Sequence, residues 1–182
     1  MSTWSARYVR LGDRAQDLPR LRRLAAKDGA ALHDDGTSRF VVWLVPSPTF
    51  EPSDLSALSR DFGEAVGVAV QTIADLVVYD HFVGGARVRG LTYAGEAGWV
   101  RVVGDAEPWE GPALFSPSKL VELLAELEED LSDDELAREK ADLERLWKIG
   151  TLQVGSARPA AEPSAITRAI EKAFALPARP RG

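Results

Sequence analysis

From Leu76 to Gly104 the chain falls into three short runs rich in β-formers, broken at Gly84-Gly85 and again around Gly95 and Gly98. Alternation with period two marks a strand with two different faces, and paired glycines suit a two-residue hairpin turn because both take positive φ without strain. The stretch predicts a three-stranded antiparallel meander. Counting outward from Gly84-Gly85 pairs Phe82 with Arg87, Asp80 with Arg89, Val78 with Leu91 and Leu76 with Tyr93. The second turn sets Trp99 beside Tyr93 and Arg101 beside Leu91. One face is then expected to carry Asp80, Phe82, Arg87, Arg89, Tyr93, Trp99 and Arg101. The other carries Val77, Tyr79, His81, Val88, Val100 and Val102, with Gly90 leaving room opposite Tyr79. The second, more apolar set is the expected core face.

Upstream, Trp4 to Leu11 alternates weakly as a first strand would. A helix is expected from about Leu18 to Lys27, with Pro19 in its first turn, Gly29 after its end, and Leu18, Leu21 and Ala25 as its buried stripe. Arg20, Arg23 and Lys27 then share the outer face. Ala30 to Ser38, with His33 and Asp34, reads as a loop, and the apolar run Phe40 to Val45 as a strand covered on both faces. Pro46, Pro48 and Pro52 stiffen a connection into a short helix, Asp54 to Phe62, capped by Ser53 and stopped by Gly63. Extended structure resumes at Val66 with a break expected near Ala74-Asp75.

After the meander, Pro108 to Pro112 reads as an ordered turn. Ser116-Pro117 opens a helix with Leu120, Leu124, Leu127 and Leu131 at 4-3-4 spacing. Ser132-Asp133-Asp134-Glu135 forms a capping box that starts a second helix, ending near Ile149 before Gly150, with Leu136, Leu143, Leu146 and Trp147 as its stripe. Ser156 to Glu162 is a Pro/Ala linker. A last amphipathic helix, Ser164 to Leu176, carries Ile166, Ile170 and Phe174 on one side. The expected fold is α+β: a mainly antiparallel sheet of four to six strands, including the meander, packed on the two early helices. An acidic helical hairpin and a linked C-terminal helix follow. The expected division is 1–115 for the α+β domain, 116–150 for the hairpin, 151–163 for a linker and 164–182 for the last helix and tail.

Charge adds a second pattern. Residues 116–148 hold 11 acidic and 5 basic side chains, which is the whole net charge of −6; the remainder holds 17 of each. The surplus of acid argues against nucleic acid as a partner, which needs clustered Lys and Arg, although six Arg and one Lys fall in the first 27 residues. The chain contains no cysteine, which removes disulfide and thiolate chemistry and suits a reducing, cytoplasmic setting. No apolar run reaches the roughly 18 residues that cross a bilayer, so no membrane role is expected.

Catalytic signatures are missing. There is no Gly-x-x-x-x-Gly-Lys-Ser/Thr phosphate loop and no Gly-x-Ser-x-Gly elbow. Two histidines, His33 and His81, match no zinc spacing, and neither a metal nor a cofactor is expected. Asp80 has Arg89 as its expected partner, whereas Asp75 has none that the register assigns. By exclusion, the chain reads as a non-enzymatic interaction or regulatory subunit of an intracellular assembly. Its expected partner-binding residues are Arg87, Arg89, Tyr93, Trp99 and Arg101 on one sheet face, because Arg, Tyr and Trp concentrate in interface hot spots. Ile166, Ile170 and Phe174 are added if the last helix docks on another molecule rather than on its own domain. The alternative is a small-molecule or anion-binding domain, with or without catalysis, whose site lies on that same Arg/aromatic face.

Overall fold

The computed structural model describes residues 3–44, 50–130, 132–159 and 161–178, without the side chains of 128–130 and 133. Val45, Pro46, Pro48 and Leu131, which figure in the sequence reading, lie outside the described residues. The strands are β1 (Thr3–Arg10), β2 (Ala31–His33), β3 (Phe40–Leu44), β4 (Glu64–Gln71), β5 (Leu76–Val83), β6 (Ala86–Ala94) and β7 (Trp99–Gly104). They form one antiparallel sheet in the order β2-β3-β1-β4-β5-β6-β7. Its seven strands exceed the four to six expected. One reason is β2: three residues are too few for alternation to show, yet Ala31 to His33 pair with β3.

The helices are α1 (Arg14–Lys27), α2 (Pro52–Phe62), α3 (Glu110–Leu114), α4 (Pro117–Asp130), α5 (Asp133–Ile149) and α6 (Pro163–Phe174). The first half of the chain interlocks two split β-α-β units: β3 lies between β1 and β2, and β1 lies between β3 and β4. Both of their helices cover one face of the sheet. There Leu21 and Ala25 of α1, and Leu55, Leu58 and Phe62 of α2, pack with Val9, Val41, Trp43, Ala65 and Phe82. Gly67 permits that approach, since a Cβ there would come within 2.5 Å of Leu55 and 2.7 Å of Phe50. α1 begins four residues before the expected Leu18, because the Asp13 carboxylate accepts the Ala15 and Gln16 amides and caps it. Pro19 therefore sits inside the helix rather than in its first turn.

The opposite face is covered by α3 and α6. Tyr8, Val42, Val66, Val68, Tyr79, Leu91, Tyr93 and Trp99 form its core with Leu114, Ile166 and Ile170. The last helix thus docks on its own domain. Ile166 and Ile170 are fully buried, and Phe174 meets Phe40 and His81 edge-on at centroid distances of 6.3 and 5.0 Å. A short amphipathic helix is ordered only where its stripe is covered, and here the sheet covers it. The helix-in-groove reading of Ile166, Ile170 and Phe174 toward another molecule is corrected accordingly. The segment before it is not slack: the Trp99 amide donates to Ser156 O (3.0 Å), Gly155 N–H to Trp99 O (2.9 Å) and the Trp99 indole to Pro159 O (3.2 Å).

α4 and α5 form the expected hairpin on a small core of Leu123, Leu127 and Leu143, flanked by Leu120, Leu124, Leu136 and Trp147. Trp147 seats it on the body, with its ring edge-on to Phe115 at 5.4 Å and its indole donating to Ser116 O at 3.0 Å. No helix among the described residues is long and apolar enough to cross a membrane.

Candidate functional site

The turn at Gly84-Gly85 sets Phe82 opposite Arg87, as the sequence predicts, and then the register slips. Val88 is an extra residue on β6, so Arg89 faces His81, Gly90 faces Asp80 and Leu91 faces Tyr79. A second extra residue, Val100 on β7, keeps Trp99 beside Tyr93 but sets Arg101 beside Thr92 rather than Leu91. Because side chains alternate, each bulge moves everything beyond it to the other face. The single Arg/aromatic face is therefore corrected. Arg89, Tyr93 and Trp99 point into the α3/α6 core, with Trp99 1% exposed, while Asp80, Arg87 and Arg101 group on the other side. No contiguous recognition surface of Arg87, Arg89, Tyr93, Trp99 and Arg101 exists.

The arginines have internal work instead. Asp80 is fully buried and is gripped by Arg101 through two hydrogen bonds of 2.8 and 2.9 Å. Arg101 Nε also donates to Thr92 Oγ1 at 2.9 Å. Arg87 Nε approaches Asp80 Oδ1 to 2.9 Å without the angle of a hydrogen bond, and its guanidinium lies over the Phe82 ring at 5.2 Å. Gly90 makes the space, since a Cβ there would stand 2.8 Å from both Arg101 Nη1 and Asp80 Oδ1. We expect Gly90→Ala to destabilise the chain by about 1–3 kcal/mol through overpacking. Denaturant unfolding checks this; a loss below about 0.5 kcal/mol would mean the cluster moves aside freely.

On the α3 side, Arg89 and Glu110 form a buried bidentate pair, Nε to Oε1 at 2.8 Å and Nη2 to Oε2 at 2.5 Å. Arg89 Nη1 donates to Gly104 O (2.5 Å), and Glu110 Oε1 accepts the Glu107 amide (2.9 Å). The pair pins α3 and the end of β7 to β6.

A third polar chain runs from the interior to one end of the sheet. Tyr79 Oη and the Trp109 indole both donate to Glu107 Oε2, at 2.5 and 2.7 Å. His81 Nδ1 lies 2.6 Å from Glu107 Oε1, and its Nε2 lies 3.2 Å from Glu64 Oε1. Glu64 Oε2 in turn accepts Arg10 Nη1 at 2.7 Å. Which ring nitrogen donates depends on the tautomer. The sequence puts His81 on the expected core face of the meander but carries no signal for this chain, because Glu64 and Glu107 come from distant segments.

Burial pushes the Glu107 carboxyl up, but the hydrogen bonds from His81, Tyr79 and Trp109 together outweigh it and hold the group below its usual range. Burial first, and then the Glu107 charge, pushes the Tyr79 phenol well above its usual range. A depressed carboxyl supplies stability that is complete above the ordinary glutamate value of about 4.3. That stability disappears as pH falls through the lower folded value. We therefore expect an acid limb in the pH profile of unfolding free energy that Glu107→Gln shrinks. Identical acid limbs in the two proteins would place its origin elsewhere.

The two carboxylates stand on opposite nitrogens of His81 and do not converge. Among the described residues no group of three or more His, Cys, Asp or Glu is arranged to hold a metal ion. His33 ends β2, and its neighbour Asp34 is held by Arg14, whose hydrogen bond keeps that carboxyl below its usual range. Asp75 stands at the turn between β4 and β5 with φ 45°.

The described acids of the hairpin lie outward. Glu122, Glu126, Asp134, Glu135, Glu139, Asp142 and Glu144 are all exposed, and Asp142 has an ion pair with the exposed Arg145 at 3.1 Å. A scan against protein-family models found no match, and neither did searches of curated proteins and of solved structures.

Proposed function

We propose that this chain is a non-enzymatic interaction subunit whose acidic α4–α5 hairpin meets a basic surface on a protein partner. One observation carries the reading: among the described residues the hairpin turns its leucines inward onto a core of their own and leaves Glu122, Glu126, Asp134, Glu135, Glu139, Asp142 and Glu144 outside, within the segment that holds the chain's net charge. The internal acids support it from the other side. Asp80, Glu107 and Glu110 are each occupied by partners within the fold, and none has the free, cleft-facing geometry that acid–base chemistry requires.

A charged surface of this kind acts chiefly on the rate of encounter. Capture from host extract identifies the partner, and stopped-flow then measures its association. The rate is expected to fall as salt rises. The quadruple variant Glu122→Gln, Glu126→Gln, Glu139→Gln, Glu144→Gln is expected to associate about tenfold more slowly and with little salt dependence. A rate indifferent to both salt and these substitutions would overturn the proposal.

A further inference from the structure

Where the polar chain reaches the surface, β1 ends, β3 begins, α2 stops and β5 ends around one open cleft of about 550 Å3. Its volume falls in the range of small-molecule sites, roughly 300–1,000 Å3. Leu11 and Phe62 give it an apolar floor, both largely buried, and half-exposed Val83 makes one wall. Gly12 and Gly63 add no side chain to fill it.

The ionic lining is unbalanced. Glu64 is the one acid among the residues that line the cleft, and both of its oxygens are occupied, Oε2 by Arg10 and Oε1 by His81. Arg10 spends only Nη1 on that pair, and its side chain remains 44% exposed. Arg39, just before β3, is exposed, and its side chain has no hydrogen bond or ion pair among the described residues. The cleft therefore presents one whole guanidinium fork and most of a second, above apolar side chains and beside a carboxylate whose charge is already met. Paired forks match the planar oxygens of a carboxylate or phosphate, and the floor suits a hydrocarbon or aromatic body.

We propose that this cleft binds a small organic oxyanion, a carboxylate or phosphate carried on an apolar group. Arg39 and Arg10 take the oxyanion, and Phe62, Leu11 and Val83 hold the body. The Glu64–His81–Glu107 chain acts behind it as a positioning device that fixes Arg10. This goes beyond the hairpin reading and uses residues on a different part of the molecule.

The test is a heteronuclear NMR titration of the full chain at low salt with three probes: phenyl phosphate, benzoate and inorganic phosphate. Phenyl phosphate or benzoate is expected to give saturable shifts confined to the amides of Arg10 to Gly12, Arg39, Gly63 and Glu64. Which of the two binds more tightly tells whether the oxyanion is phosphate or carboxylate. Arg39→Gln, an exposed change that leaves the fold intact, is expected to weaken binding about tenfold. Arg23→Gln, an exposed arginine elsewhere on α1, is expected to leave it unchanged. Shifts that never saturate, or equal affinity in the Arg39→Gln and unsubstituted proteins, would overturn the site. Inorganic phosphate binding as tightly as phenyl phosphate would overturn the role given to the apolar floor. The hairpin quadruple variant should bind these probes normally, so the two proposals fail independently.

Discussion

Arg89→Ala is expected to lower the stability of the chain by about 3–5 kcal/mol, the cost of stripping one partner from a fully buried pair. Both side chains are at most 2% exposed, so water cannot take the place of the lost guanidinium. Glu110 would be left charged in the core, and the carbonyl of Gly104 would lose its donor. Against a typical total of about 5–15 kcal/mol, that loss removes a large share of the folded population. Glu110→Ala should cost a similar amount, and the double variant less than the sum of the two, because its second change removes the stranded charge. Urea unfolding of the three variants measures this. A single-site loss under about 1 kcal/mol, or strict additivity in the double variant, would show that the pair contributes as two surface charges do.

Deleting residues 156–182 is expected to have an effect as large. The deletion uncovers the face of the sheet on which Ile166 and Ile170 are buried and removes the acceptors of the Trp99 amide and indole. Truncating one such isoleucine to alanine typically costs about 2–5 kcal/mol, and two are lost with the helix. The shortened chain should lose cooperative unfolding in calorimetry and bind a hydrophobic dye. A sharp transition at the temperature of the full chain would mean that α6 adds nothing to the core.

The hairpin and the amphipathic last helix were legible because each repeats a helical period over enough residues, and the meander because glycines mark both of its turns. The break at Ala74-Asp75 was legible too, and the structure puts a turn there with Asp75 at φ 45°. What escaped was the candidate surface, and the cause is local. One extra residue at Val88 and another at Val100 carry no compositional mark, yet each reverses the faces beyond it. A hint was present: Leu91 shares parity with Arg89 and Tyr93, and a leucine between them belongs to a core face. Gly90 does make room, but for the Asp80–Arg101 pair rather than for Tyr79. The Arg10–Glu64–His81–Glu107 chain had no sequence signal, because its members meet only once β1, β4, β5 and the loop before α3 are assembled.

Ser38 Oγ donates to Ala175 O, and Phe174 rests on Phe40, joining positions more than 130 residues apart. Such a contact cannot form early on the ribosome. All seven strands can leave the exit tunnel while the side of the sheet later covered by α6 is still wet and apolar. The nascent chain is therefore most exposed to wrong association during the interval between release of β7 and release of residues 163–174. A pause in translation within that interval would prolong the exposure, whereas a holding chaperone would have its greatest effect there.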